Sequence, residues 1–525
     1  MLNLLLWLPL AAGVVACAMP RRAAGWVASA GSLGVLGVAI ALVAGFDASA
    51  DGLQHSVDVS WIPGLGVRYA LGVDGLSLFL VALTALVWPA AMIFSALREI
   101  ERPRLYFLML ALAESATLGA FLAQDLLLFV LFFDLMLVPF YFLIGAWGGA
   151  NRVPATTKMI VYTLVGSLLM LVAAIATAIL ATPAGGQLTF SIAALQSHLL
   201  STGSQYWLFC FFAAAFLVKM PAFLLHGWMA DAYRAAPLPV LALLSGVLSK
   251  VGAYGFLRVA LPLFPQATTH FQELILVVAL ASILYGSAMA FTQTNVRLIA
   301  GYSSIAQLGF ITAGIFSLRP EGSNGAVLQM VNHGLVVVPV FLIIAVLYER
   351  AGSEDLGRLG GMAMRAPVLA ALFLVVTLAT LAMPGSANFV GELYILIGLF
   401  QAKIVYAFVA SIGVALAAFY ALRLYQRTMH NRAPEGVESR EIGWRDGLVL
   451  APLVACIVAL ALYPQLILHT SEQAVGESTV AACIKTETSD VDRQKSFRTA
   501  FGAVVPSRNC WQRLKDLVAT GWLDR

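Results

Sequence analysis

Residues Leu131–Gly149 read LFFDLMLVPFYFLIGAWGG. The run is almost pure hydrocarbon, yet Asp134 sits inside it and Pro139 follows five residues later. On insertion scales an aspartate at the centre of a membrane helix costs roughly 2.5–3.5 kcal/mol. A chain keeps such a residue where something offsets its charge or uses it.

The rest of the chain has the same character. Of 525 residues, 61% are hydrophobic and 11% charged, against about 25% charged in an ordinary soluble domain. Mean hydropathy is +0.89. The composition predicts an all-α polytopic membrane protein. The formal charge of +4 is spread through loops and forms no patch for nucleic acid. Five cysteines lie far apart, with no CxxC pair or Cys/His cluster, so no metal, haem or iron–sulfur site is expected. No GxGxxG or P-loop fingerprint predicts a nucleotide site. The first apolar run, Leu2–Met19, lacks a basic leader and reads as a first span rather than a signal peptide.

Apolar runs of about 18 or more residues can cross about 30 Å of hydrocarbon. Fourteen are predicted, near 2–20, 24–45, 71–96, 104–123, 125–146, 157–181, 206–226, 238–262, 272–292, 298–317, 323–348, 366–400, 404–427 and 447–468. An even count puts both termini on one side. Loops of one face carry Arg21, Arg22, Arg98, Arg102, Arg104, Arg152, Lys158, Arg234, Arg297, Arg350, Arg358, Arg365, Arg423, Arg427, Arg432, Arg440 and Arg445. Before the tail, the other face has only Arg68, Arg319 and Lys403. The basic face is therefore expected in the cytoplasm and both termini outside.

Two predicted spans are interrupted: the seventh by Pro221 and the twelfth by Pro384-Gly385. Proline inside a helix removes a backbone hydrogen bond, and transporters place ion sites at such breaks. Breaks five spans apart predict two inverted five-helix repeats. The expected organisation is 1–103 for spans one to three, 104–262 and 263–428 for the repeats, 429–470 for the last span, and 471–525 for a polar tail. The alternative is that the prolines are ordinary features of membrane helices.

Ionisable residues fall inside several spans. Lys219 and Lys250 lie deep in spans seven and eight, His333 in span eleven, and Glu392 in span twelve, with Asp134 and Glu114 also at depth. Chains of Asp, Glu, His and Lys within membranes mark proton or ion routes. Lysine exchanges its proton more readily when buried, and histidine titrates near neutrality without help. Static ion pairs between helices are the alternative. Asp74 is expected to cap span three. Arg258 is expected to end its helix and snorkel, and His226 and Asp231 to belong to a boundary turn.

These residues carry a resemblance. GVDGLSLFL, FFDLMLVPFYFLIGAWGG, KMIVYTLVGSLLML, FLVKMPAFLLHGWMADAYRAAP, RLIAGYSSIAQLGF, VNHGL and NFVGELYILIGLF resemble the antiporter-like chain M of bacterial respiratory complex I, the proton-pumping NADH–quinone oxidoreductase. The resemblance implies fourteen helices, with helices seven and twelve broken, and a proton-translocating role in an inner-membrane arm. It implies no cofactor on this chain; NADH, flavin, iron–sulfur clusters and quinone would belong to other subunits. Expected partners are antiporter-like chains L and N, small chain K and the lipid bilayer. By family motif Asp134 stands where a Glu partners the seventh-helix lysine. Lys219 is that lysine, Lys250 the eighth-helix relay, His333 the relay of helix eleven, and Glu392 the terminal group of helix twelve.

The chain also departs from the pattern. Asp134 is one C–C bond shorter than the usual Glu. SSIAQ places Gln307 where a His is usual, and HGWMADAYRAAP lacks a usual Pro, His and Glu. A glutamine cannot carry a proton at neutral pH but can donate and accept hydrogen bonds. Related readings are a subunit of a membrane hydrogenase or cation/proton antiporter complex, or a non-conducting scaffold. In the tail, a short helix at Cys510–Trp522 and a Cys483–Cys510 pairing are the expectations.

Overall fold

A computed structural model describes residues 1–479, apart from 51, 184, 199 and 433–439, together with residue 482. The chain is a bundle of apolar helices. The first two are α1 (Leu2–Ala18) and α2 (Arg21–Ala44). After a β-hairpin come α3 (Leu78–Ala96), α4 (Pro103–Leu122), α5 (Leu126–Leu135), α6 (Leu137–Trp147) and α7 (Arg152–Ala181). The seventh predicted span, near 206–226, holds α8 (Thr202–Lys219) and the turn after it; the short α9 (Met229–Ala235) lies beyond it, followed by α10 (Leu238–Leu263). Next come α11 (Gln272–Thr292), α12 (Val296–Phe316) and α13 (Pro320–Ala351). The last are α14 (Pro367–Thr380), α15 (Ala387–Ala402), α16 (Ile404–Met429) and α17 (Trp444–Leu462). Eleven segments among the described residues are long and apolar enough to cross a membrane, counting α5 with α6 as one; α1, α14 and α15 are shorter apolar helices.

Burial separates the inner helices from the lipid-facing ones. The most apolar windows of α10, α12 and α13 are wholly buried, whereas those of α2 and α16 are one-third buried. The fully covered helices are also the ones that carry Lys250, Gln307 and His333. Placing these groups inside protein rather than lipid lets polar neighbours offset the cost of a charge at membrane depth.

Ion pairs join residues predicted for the same face. On the arginine-rich face Arg98 at the end of α3 bonds Glu349 near the end of α13 and Asp446 at the start of α17; Lys158 meets Asp231, and Arg297 meets Glu354. On the opposite face lie the pairs Arg68–Asp58, Arg258–Asp74 and Lys403–Glu273.

Two helix starts five predicted spans apart are built alike. Asp125 caps α5 through the amides of Leu127 and Leu128 and bridges to Ser191. Asn295 caps α12 through the amide of Leu298 and bridges to Asp355. Each cap satisfies amide groups that a helix start leaves without partners.

The structure corrects several expectations. The all-α membrane class stands, with one unforeseen addition: Gln54–Ile62 (β1) and Val67–Val73 (β2) form an antiparallel hairpin. Arg258 does not end its helix or snorkel. It sits inside α10 and donates to both carboxylate oxygens of Asp74 at 2.6 Å. Asp74 does cap the start of span three, accepting from the amides of Leu76 and Ser77, so one carboxylate fastens α3 and α10 together. Residues 465–479 are helical, and Gly75 packs against the backbone of Thr470 and Ser471. Cys483, Cys510 and the helix expected at Cys510–Trp522 lie outside the described residues.

Candidate functional site

Asp134, Lys219, Lys250 and Glu392 lie at or near breaks or bulges in regular helix, whereas His333 lies inside the continuous α13. Asp134 occupies the last turn of α5, just before the interruption at Met136. Pro139, in the first turn of α6, cannot donate a backbone bond to the preceding turn. Lys219 is the last residue of α8, where its ammonium meets the negative end of the helix dipole. The chain then turns through Leu224 at φ +72° and re-forms helix at Met229. The Trp228 indole donates to the carbonyl of Val218 at 3.1 Å, satisfying an acceptor that the break exposes.

Lys219 and Asp134 are electrostatic neighbours, but no ion pair within 4.0 Å joins them. Lys219 Nζ instead donates to the Phe133 carbonyl at 3.1 Å and lies 4.4 Å from the centre of the Phe133 ring. Asp134 Oδ1 is buried with no hydrogen-bond partner, and Ser167 lies beside the carboxylate. The pair is therefore separated and held short of contact.

Lys250 lies on α10 between two π-helical turns, Leu244–Leu248 and Phe256–Ala260. In the first turn Ser249 N–H bonds Leu244 O, five residues back. The Ser245 carbonyl then accepts from Lys250 Nζ at 2.7 Å and from Ser249 Oγ at 2.9 Å. π-Turns inside helices often mark functional positions. Glycines bring the neighbouring helices close on both sides. A Cβ on Gly252 would stand 2.7 Å from Phe216 O and Met220 Cγ, next to Lys219. A Cβ on Gly334 would stand 2.6 Å from Gly246 O, next to His333. The small residues thus set Lys250 between the Lys219 break and His333.

His333 is 3% exposed and its Nδ1 has no hydrogen-bond partner. Lys250 is its charged neighbour. His333 also lines a cavity of about 20 Å³ with Ser303, Thr377, Thr380 and Tyr420, room for about one water. Thr377 and Thr380 belong to the last turn of α14, so the cavity joins His333 to the second helix break. That break carries Ala382 at φ +51° and Gly385 at φ +89°.

Glu392 is in the second turn of α15 and 3% exposed. Gln307 Nε2 donates to Glu392 Oε1 at 2.8 Å, and Gln329 Nε2 donates to Gln307 Oε1 at 2.7 Å. Gln307 therefore holds the Glu392 carboxylate from the position where the resemblance implies a histidine. Glu392 Oε2, Gln329 Oε1, Asn332 Oδ1 and both amide atoms of Asn388 are buried without partners. Buried polar atoms of this kind are ordinarily satisfied by protein or ordered water.

Sequence reasoning missed Phe133, Gln329, Tyr420 and the π turns. Gln329 could have been found, being a polar residue four positions before His333 on an apolar helix. Phe133 and the π turns leave no signal in residue type. Glu114, also expected at depth, is fully buried but faces Ser32 of α2, which donates to it at 2.7 Å. It stands apart from the groups above.

Ionisable side chains at depth in an apolar helical bundle, several of them at breaks or bulges, mark the class of ion-transporting membrane proteins. The chain belongs to the NADH:quinone oxidoreductase/Mrp antiporter transmembrane family, whose model matches residues 123–417. It is 36% identical over 489 residues to the NADH-quinone oxidoreductase subunit M of Rhodobacter capsulatus, covering 89% of this chain and 94% of that one. The subunit M of Escherichia coli K12 is 38% identical over 432 residues, covering 81% and 85%. Among solved structures, a chain of respiratory complex I from Thermus thermophilus with bound NADH superposes with TM-score 0.85 at 30% identity. It covers 92% of this chain and 100% of that chain. The Mrp complex from Dietzia sp. matches with TM-score 0.79 at 23% identity over 92% and 99%, a likeness of fold alone.

Proposed function

We propose that this chain is the proton-translocating membrane-arm subunit, of M type, of an NADH–quinone oxidoreductase. One observation carries the reading: Asp134, Lys219, Lys250, His333 and Glu392 stand at depth in the bundle, all but His333 at breaks or bulges, with several buried polar atoms left without partners. Asp134 and Lys219 form the switchable pair, Lys250 and His333 the central relay, and Glu392 the terminal group. Redox chemistry lies elsewhere in the complex, with NADH, flavin, iron–sulfur clusters and quinone on other subunits. Chains L, N and K are the expected neighbours.

The fourteen-span count, with inverted repeats over 104–262 and 263–428, belongs to the same reading. The matching caps of α5 and α12 and the paired breaks support it. The arginine-rich face is assigned to the cytoplasm and both termini to the outer face of a bacterial inner membrane. Membrane-hydrogenase and cation/proton-antiporter readings share the fold. Purifying the chain with its natural partners separates them, because only an NADH-oxidising arm accords with this proposal. The functional test is Lys250→Ala in the assembled complex. Proton uptake coupled to quinone reduction should fall while NADH oxidation by an artificial acceptor persists. Normal pumping by that variant would leave the non-conducting scaffold as the better account.

A further inference from the structure

We propose that a cleft on the arginine-rich face, between α2, α3 and α4, is a binding site for the phosphate headgroup of an anionic phospholipid. The cleft encloses about 590 Å³ and is lined by Arg21, Arg22, Trp26, Arg98, Arg102 and Phe107, a size within the range of pockets that hold small molecules. Arg98 is engaged by Glu349 and Asp446. Arg21, Arg22 and Arg102 take part in no ion pair among the described residues.

Two helices begin at this cleft. α2 starts at Arg21 behind Pro20, and α4 starts at Pro103 behind Arg102; neither has a side-chain cap or an acidic residue in its first turn. Ala23 and Leu105 bond back to Pro20 and Arg102, which leaves the amides of Arg21, Arg22 and Arg104 for an outside acceptor, and each helix end carries about half a positive charge. Glu99 and Glu101 stand on the rim and oppose this field. Three free arginines and two helix ends outweigh them by about two charges. Guanidinium forks match phosphate oxygens, and the rim carboxylates suit the hydroxyl donors of a glycerol headgroup.

The apolar continuation selects a lipid over a free anion. Trp26, Leu33 and Ile40 are 49%, 47% and 60% exposed. Spaced seven residues apart, they share one face of α2. From Trp26 to Ile40 the track rises about 21 Å, more than the roughly 15 Å hydrocarbon depth of one leaflet. Tryptophan at its head is where interfacial aromatics concentrate. Gly25 makes the floor tight: a Cβ there would stand 2.7 Å from the Phe107 ring. A phosphate in the cleft would thus lead directly onto an acyl-chain path.

The test is photo-crosslinking of the full chain, purified with its accompanying subunits in nanodiscs, using phosphatidylglycerol with a photoactivatable acyl chain. Label should map to residues 21–40 and 98–107. Unlabelled phosphatidylglycerol should compete at least about tenfold better than phosphatidylcholine. Arg21→Gln/Arg22→Gln/Arg102→Gln should lower labelling of these peptides at least about fivefold and leave labelling elsewhere unchanged; the corresponding Lys variant should retain most of it. If the triple variant does not fold, Arg102→Gln alone and the wild-type competition carry the decision. Displacement by millimolar inorganic phosphate, with no preference between the two lipids, would make this a free-anion site and overturn the proposal. So would absence of label because a neighbouring subunit covers the cleft.

Discussion

Replacing Asp134 by asparagine keeps the shape of the side chain and deletes its charge. The carboxylate lies more than 4.0 Å from Lys219 Nζ. At an effective dielectric of about 20, opposite charges attract by about 4 kcal/mol at 4 Å and about 3 kcal/mol at 5.5 Å. Losing this attraction of about 3–4 kcal/mol weakens the hold of the carboxylate on the Lys219 ammonium by about two to three decades. Asp134→Asn should therefore lower proton pumping at least tenfold while the complex assembles normally. Asp134→Glu lengthens the arm by roughly 1.5 Å. At such separations each 1.5 Å of closure adds about 1 kcal/mol, so this variant should stay within tenfold of wild type. The assay is acidification of proteoliposomes per NADH oxidised, read beside electron transfer to an artificial acceptor. If Asp134→Asn pumped like wild type while Lys219→Ala did not, the carboxylate would be structural and the switch reasoning wrong.

The remaining predictions address the relay and its frame. Gln307→Leu strips partners from Gln329 and Glu392 and should cost about 2–6 kcal/mol of stability or orientation; Gln307→His, which can both donate and accept, should pump better than the leucine variant, and equal rates would exclude an orienting role. Gly334→Ala forces a Cβ to within 2.6 Å of Gly246 O, so it should lower the melting temperature and slow turnover, against no change if α10 and α13 are loosely packed. Asp74→Asn breaks a buried pair whose side chains are 11% exposed on each partner and should destabilise by about 3–5 kcal/mol, read by thermal unfolding. Burial works against the Glu441 carboxylate, but the amides of Val368, Ile442 and Leu369 outweigh it and hold its pKa below the ordinary glutamate value. That stabilisation is present above the unfolded pKa and is lost as pH falls through the folded one; Glu441→Gln should melt earlier than wild type at neutral pH, and the gap should narrow as pH falls below the ordinary glutamate range.

By itself the sequence determined the membrane class, because hydrocarbon runs interrupted by polar loops admit few other folds. It also marked Lys219, Lys250, His333, Glu392 and Asp134, since a charge in an apolar run is conspicuous without any coordinates. The breaks at Pro221 and Pro384-Gly385 were legible for the same reason: proline and glycine act on the local backbone. Distance was not legible. Only the tertiary structure held Asp134 short of contact with Lys219, set Gln329 behind Gln307, and turned Arg258 from a lipid-facing side chain into the partner of Asp74. These depend on the rotation and spacing of helices far apart in the chain. Glycine-to-backbone contacts such as Gly334 on Gly246 set that spacing, and nothing in the neighbouring residues encodes it. The β-hairpin at 54–73 was overlooked because two short strands between long apolar runs read as loop. Its residues are held in register by each other and by the bridge from Leu71 to Ala123, a partner that only the folded chain brings alongside.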